Sequence, residues 1–197
     1  MNYKAIVIGA STGGFYALRR LITALPDGFD LPILVVQHIS PNSDNFMARY
    51  LDGISNLLVK EADEKEAIVP GTVYIAPPNY HMLVEEDFTI GLSTEEKIRY
   101  ARPSIDVLFE TAVFAYGTHL IGIVLTGANN DGAYGLSVIK KAGGLTIAQL
   151  PSEAEADMMP QSAIDMAKPH HILPIEGIAR LLTELNSNKK NEQSDST

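Results

Sequence analysis

Short apolar runs rich in Val and Ile alternate along the chain with stretches in which apolar residues recur every three or four positions. The first kind reads as buried strands and the second as amphipathic helices, so the pattern predicts βαβ units around a mainly parallel sheet. The expected fold class is α/β. YKAIVIG is a buried-type strand, and after a Gly-rich turn Phe15, Leu18, Ile22 and Leu25 form a helical stripe closed by PDG. LPILVVQ is a second strand, followed by a loop around Pro41, a short helix through Phe46, Met47, Tyr50 and Leu51, and a third strand in LLVKEA.

Between Gly71 and Leu92 the short runs TVYIAPP, HMLVE and DFTIGL are separated by PPNY and an acidic turn near Asp87. They predict antiparallel strands or a hairpin inserted into the parallel scheme, hence a mixed sheet. Ile105, Leu108, Phe109, Ala112, Val113 and Tyr116 then share one helical face, with Ser104 as expected N-cap after Pro103. LIGIVLTG is the next buried strand, a helix runs from about Gly132 to Ala142, GLTIAQ follows as a strand, and Pro160 opens a helix through Ile164 and Ala167. HIL and the stripe Ile175, Ile178, Leu181, Leu182 and Leu185 predict a terminal strand and helix. The expected organisation is one domain over 1–185 and a frayed, disordered polar tail over 186–197.

Charge and composition narrow the function classes. A formal charge of -9 argues against a general nucleic-acid or membrane-inserting surface, since phosphate-rich partners are met by clustered Lys and Arg. The absence of Cys rules out disulfides, a thiolate nucleophile and a thiolate metal site, and fits a reducing compartment. MNYKAIVIGASTGG has too short an apolar run for a signal peptide, so a cytoplasmic protein is expected. His119, His170 and His171 lack ligand spacing such as HExxH, and neither a metal nor another cofactor is expected.

Ligands of a parallel sheet bind at the carboxyl ends of its strands, and three of those ends carry reactive side chains. GASTGG after the first strand holds Ser11, Gln37-His38 ends the second, and Gly127 to Gly132 after LIGIVLT holds Asp131. Gly9, Ser11 and Gly13 match the GxSxG elbow, whose sharp turn needs small neighbours so that the hydroxyl can project. A hydroxyl needs a base, which an imidazole such as His38 supplies, and a carboxylate such as Asp131 fixes the imidazole's tautomer. Amides of the Gly-rich turn would bind a developing oxyanion. Each feature also has a plainer reading: a phosphate-binding turn at GASTGG, a structural histidine at 38, a turn residue or helix N-cap at Asp131. The turn is not GxGxxG, and Gln37-His38 stands where a dinucleotide fold places an acidic ribose ligand.

IGASTGG at Ile8 to Gly14, QHI at Gln37 to Ile39, YIAPPNYHM at Tyr74 to Met82, RPSIDVLF at Arg102 to Phe109 and LTGANNDGAYGL at Leu125 to Leu136 resemble successive blocks of the CheB-type methylesterase catalytic domain. TIAQ at Thr146 to Gln149 and MPQSAI at Met159 to Ile164 continue the order over nearly the whole chain. The resemblance implies a doubly wound, Rossmann-like α/β domain that hydrolyses glutamate methyl esters on the cytoplasmic helices of chemoreceptors, with release of methanol, and in many members deamidates receptor glutamines. It makes Ser11 the nucleophile, His38 the base and then acid, and Asp131 the orienting carboxylate, with Thr12 beside the nucleophile and Ala128 where a backbone amide helps form the oxyanion hole; Met159 of the MPQSAI block and Arg102 at a helix start are further candidates for the substrate side, an exposed structural arginine being the plainer reading of Arg102.

Two departures stand out. Ala128-Asn129 replaces the family's usual Met-Gly, and Gln161 stands where many members have Arg. Met1 begins almost directly in the first strand, so the receiver domain of the chemotaxis enzymes is not expected here, and control would come from a regulator in trans. The alternatives are a catalytically idle CheB-like scaffold and a nucleotide-binding turn at GASTGG.

Overall fold

The computed structural model describes residues 3–194, with side chains through residue 187. In chain order the elements are β1 (Ala5–Ala10), α1 (Gly14–Thr23), β2 (Ile33–Gln37), α2 (Phe46–Asp52), β3 (Leu58–Glu61), β4 (Thr72–Ile75), β5 (His81–Val84) and β6 (Ile90–Ser93). They continue with α3 (Ile105–Tyr116), β7 (Leu120–Val124), α4 (Ala133–Lys141), β8 (Leu145–Gln149), α5 (Met158–Ala167), β9 (His171–Leu173) and α6 (Ile175–Ser194). No helix among the described residues is long and apolar enough to cross a membrane.

Seven strands form one sheet in the order β3-β4-β2-β1-β7-β8-β9, and every pairing in it is parallel. Strand residues alternate between faces, and both faces here are buried, which explains the continuous apolar runs. Ile6, Ile8 and Ala10 pack with Leu18, Leu51 and Ile178 of α1, α2 and α6; Ala5 and Val7 pack on the other side with Phe109, Leu136 and Ala163 of α3, α4 and α5. The winding reverses between β1 and β7, which opens a crevice beyond their carboxyl ends, the place where doubly wound sheets bind ligands.

The expected mixed sheet is corrected: β5 and β6 form a separate two-stranded antiparallel sheet, while TVYI, as β4, joins the main sheet parallel to β2 and β3. The crossover from β3 to β4 contains no helix, so its sequence carries no helical period to betray a parallel connection. Instead it pairs with the hairpin: the Lys65 and Ile68 amides donate to the Ile90 and Phe88 carbonyls, and the Ile90 amide donates to the Glu66 carbonyl. At the other end, α6 carries helix into the polar segment that begins at Asn186, whose Oδ1 accepts from the Asp30 amide at 2.9 Å. The rest of the expected tail falls on side chains from 188 onward and backbone from 195 onward, outside the described residues.

Helices α3 and α4 cross closely because Gly135 has no side chain: a Cβ there would meet Phe109 Cβ at 2.6 Å and the Asp106 Cα at 3.2 Å. Gly135→Ala should therefore destabilise the fold by about 1–3 kcal/mol through overpacking. Gly53, with φ -69° and no atom nearer than 3.6 Å to an added Cβ, is the control. Its change to Ala should be neutral or stabilising by up to about 1 kcal/mol. Urea denaturation of the two variants against the parent measures both.

Candidate active site

Three strand ends converge at the crevice because the sheet register fixes them. Ala10 pairs with Gln37 and Gly9 with Val124, so the residues that follow β1, β2 and β7 leave the sheet side by side. The Ser11 amide donates to the Thr126 carbonyl at 2.9 Å and the His38 amide to the Ala10 carbonyl at 3.0 Å, extending the ladder one step beyond the strands. Gly13, at φ 76°, then turns the chain into α1, a left-handed conformation in which a side chain would be strained.

His38 Nε2 and Asp131 Oδ2 lie 2.9 Å apart, with side-chain exposures of 15% and 4%. Asp131 also accepts hydrogen bonds from the Ile105 amide (2.7 Å), the Asp106 amide (3.0 Å) and the Ser104 hydroxyl (3.1 Å). Sequence reasoning assigns the α3 N-cap to Ser104, but its side chain makes no capping bond to that helix. Ser104 holds the N-cap position, as expected, but the capping bonds come from Asp131, which reaches across from the loop before α4 and accepts from the Ser104 hydroxyl as well. Asp106, in the first turn of α3, accepts from the Gly132 and Gly135 amides at 2.9 and 2.8 Å and so caps α4. Each helix is capped by the acidic residue belonging to the other.

The two buried carboxyls respond oppositely. Burial alone would raise Asp131, but its bonds from His38, Ile105 and Asp106 outweigh that and hold it below the ordinary range, ready to carry a negative charge beside the imidazole. Burial drives Asp106 up to about 6; the nearby Asp131 charge adds to the rise, while the Gly135 amide and Arg99 oppose it. Arg99 Nη1 stands 3.5 Å from Asp106 Oδ2.

A cavity of about 340 Å³ lies over this pair, lined by Ser11, His38 and Asn129 on the sheet side and by Lys97, Arg99 and Arg102 on the loop before α3. Among the described residues no hydrogen bond joins the Ser11 hydroxyl to His38; the imidazole's second nitrogen, Nδ1, faces Asn129 Nδ2 at 3.1 Å. The amides of Thr12 and Ala128 donate to no acceptor among the described residues, and neither do those of Gly13, Asn129 and Asn130, whereas the Ser11 and Gly127 amides do. Arg102 lines the cavity, yet its guanidinium is committed to Asn79 Oδ1 and to the Thr94 and Glu95 carbonyls, which fixes the wall of the cavity. Met159 is fully buried under Gly127: a Cβ on that glycine would meet Met159 Sδ at 1.9 Å and Ser11 Cβ at 2.9 Å. It supports the turn that carries the serine from below.

Gln161 lies on α5 and bonds Asp165 at 3.1 Å. His81 is buried and accepts from the Ser104 amide through Nδ1 at 3.2 Å, a packing role next to the site. Sequence reasoning misses Lys97, Arg99 and the side chains of Asn129 and Asp106. The charged stretch EEKIR has no period, and only a contact between separate loops gives it a place.

The fold and the crevice define an α/β protein that keeps its polar chemistry at the switch point of a doubly wound sheet. The family model described as CheB methylesterase matches residues 6–182. A Leptospira interrogans protein named putative protein-glutamate methylesterase/protein-glutamine glutaminase is 50% identical over 188 residues, covering 95% of this chain and 97% of its own length. An Archaeoglobus fulgidus protein-glutamate methylesterase/protein-glutamine glutaminase is 38% identical over 191 residues, and the chain spans 55% of that relative's length. The crystal structure of the Thermotoga maritima CheB methylesterase catalytic domain matches with a TM-score of 0.89 at 36% identity, covering 94% of this chain and all of that one. The chain belongs to the CheB methylesterase family.

The opposed shifts of the two carboxyls give a pH signature. A carboxyl whose folded value is raised binds its proton more tightly folded than unfolded, so its contribution to stability is present at low pH and is lost as pH rises from the ordinary 3.8 through about 6. Asp106→Asn, which keeps an acceptor oxygen for the α4 amides, should remove that decline. Thermal unfolding between pH 4 and 7 should show parent stability falling relative to the variant as pH rises through this window.

Proposed function

We propose that this chain hydrolyses γ-methyl esters of protein glutamates, with Ser11 as nucleophile, His38 as general base and then acid, and Asp131 as the carboxylate that orients the imidazole. The observation that carries the reading is the part-buried Asp131–His38 bond between the loops that follow β7 and β2, with His38 lining a cavity that Ser11 shares. With Nε2 bonded to Asp131, Nδ1 is the nitrogen left to take the serine proton.

Ser11 Oγ attacks the ester carbonyl as His38 accepts its proton. The negative charge that develops on the carbonyl oxygen is met by the Thr12 and Ala128 amides, two of the turn amides without an internal acceptor among the described residues. The tetrahedral adduct collapses as His38 returns the proton to the departing methoxide, which leaves as methanol, and a γ-glutamyl ester on Ser11 remains. Water, activated by the same imidazole, cleaves that ester and restores the serine. Replacing methoxide by an amide nitrogen gives ammonia from glutamine, in keeping with the glutaminase in the names of the relatives.

The cytoplasmic helices of methylated chemoreceptors are the substrate this reading favours, with the reaction taking place in the cytoplasm. In a chain of net charge -9, Lys97, Arg99 and Arg102 gather on one wall of the cavity, a surface that suits a glutamate-rich segment. A catalytically idle scaffold is the second reading, favoured by the Asn129 contact on His38 and by the absence of a Ser11–His38 bond among the described residues.

Methanol release from a methylated receptor fragment tests the proposal. The parent should release it, Ser11→Ala should lose activity by roughly 10³-fold or more, and equal release by both would remove Ser11 from the mechanism. Charge reversal at Lys97, Lys97→Glu, should raise KM for the receptor fragment several-fold with kcat little changed, because it alters binding remote from the reacting carbonyl. An unchanged KM would take Lys97 out of substrate recognition.

A further inference from the structure

We propose that Asn129 is a positioning residue that caps the proton-accepting nitrogen of His38 in the resting site and yields before Ser11 is activated. The inference rests on the reading of Ser11 and His38 as nucleophile and base.

The geometry fixes the orientation of the carboxamide without choice. The Asp131 peptide N–H lies 2.9 Å from Asn129 Oδ1, and only the oxygen of the carboxamide accepts a hydrogen bond. Nδ2 is therefore the atom 3.1 Å from His38 Nδ1, and because an amide NH2 can only donate, Nδ1 accepts. The ring proton then sits on Nε2, where it is donated to Asp131 Oδ2 at 2.9 Å. All three contacts agree on one tautomer, the one in which the Nδ1 lone pair is available for a proton.

That lone pair is the one Ser11 needs, and Asn129 occupies it. A turn residue would require the bond from the Asp131 amide and nothing more; the other half of the carboxamide is spent on the imidazole. Asn129 is half-buried on the wall of the same cavity, between the exposed Ala128 and Asn130, so its side chain has room to leave toward solvent. The contact holds the imidazole in its productive tautomer at rest and competes with the serine hydroxyl for the same nitrogen. Activation of Ser11 includes the breaking of one amide–imidazole hydrogen bond.

Two variants move in opposite directions on this account. Asn129→Ala removes the competitor. The rate at which a serine-directed fluorophosphonate labels Ser11 should rise roughly three- to tenfold, the factor that corresponds to one modest hydrogen bond. Asn129→Asp keeps the acceptor for the Asp131 amide but places a carboxylate against Nδ1, which favours a proton there and should slow labelling below the parent. Imidazole 15N spectra of the uninhibited protein supply a readout independent of reactivity: the Nδ1 resonance of His38 should shift on Asn129→Ala while Nε2 stays protonated.

Equal or slower labelling of Asn129→Ala, together with an unmoved Nδ1 resonance, would overturn the proposal. If the Ala variant fails to fold, Asn129→Asp decides, since a rate at or above the parent's contradicts the competition. If the parent itself is not labelled at Ser11, the nucleophile assignment falls, and the Nδ1 resonance alone reports whether Asn129 caps the ring.

Discussion

The site depends on the carboxylate of Asp131, which belongs to one helix's approach and caps another. A capping residue is normally local, lying just before the helix whose amides it satisfies. Here the loop before α4 supplies the cap of α3, and the first turn of α3 supplies the cap of α4 through Asp106. The exchange fastens the two helices end to end across the crevice, and the close approach at Gly135 lets it happen. His38 joins this arrangement through the same Asp131 oxygen that receives the Ile105 amide, so the imidazole is held by a carboxylate that cannot turn away without uncapping a helix.

This coupling explains the electrostatics. Two carboxyls buried side by side cannot both be comfortable as anions, and the structure separates them by their partners. Asp131 collects the donors, including the imidazole, and is held as an anion. Asp106 carries the cost of burial and of its neighbour's charge and is pushed up to about 6. The negative charge is thereby kept where it can steady a positive imidazole. Arg99 faces Asp106 and lines the cavity as well, linking the carboxyl pair to the loop that walls it.

Much of this was readable from the residues. Ser11, His38 and Asp131 each follow an apolar run and stand at a glycine-rich or polar boundary, and the rule that parallel strands end on one edge brings them together without coordinates. The two-sided burial of β1 and β7 is equally plain in their unbroken apolar sequences. What failed to show were contacts between segments far apart in the chain. Ser104 stands at the N-cap as its local marks say, and only the fold reveals that the carboxylate of Asp131 makes the capping bonds. TVYI reads like its antiparallel neighbours because the crossover that makes it parallel has no helix. Asn129 stands out in the sequence only as a departure from the family's usual Met-Gly, and its contact with an imidazole 91 positions away has no local signal.

In the proposed mechanism Asp131 grips His38 through Nε2 and leaves Nδ1 to Ser11. A crystal structure of the protein after reaction with a methyl fluorophosphonate tests it most directly. The expected structure has phosphorus on Ser11 Oγ, the phosphonyl oxygen against the Thr12 and Ala128 amides, His38 Nε2 still on Asp131, and Nδ1 turned to the adduct with Asn129 displaced. Phosphorus on another residue, or an adduct on Ser11 beside an imidazole released from Asp131, would contradict it.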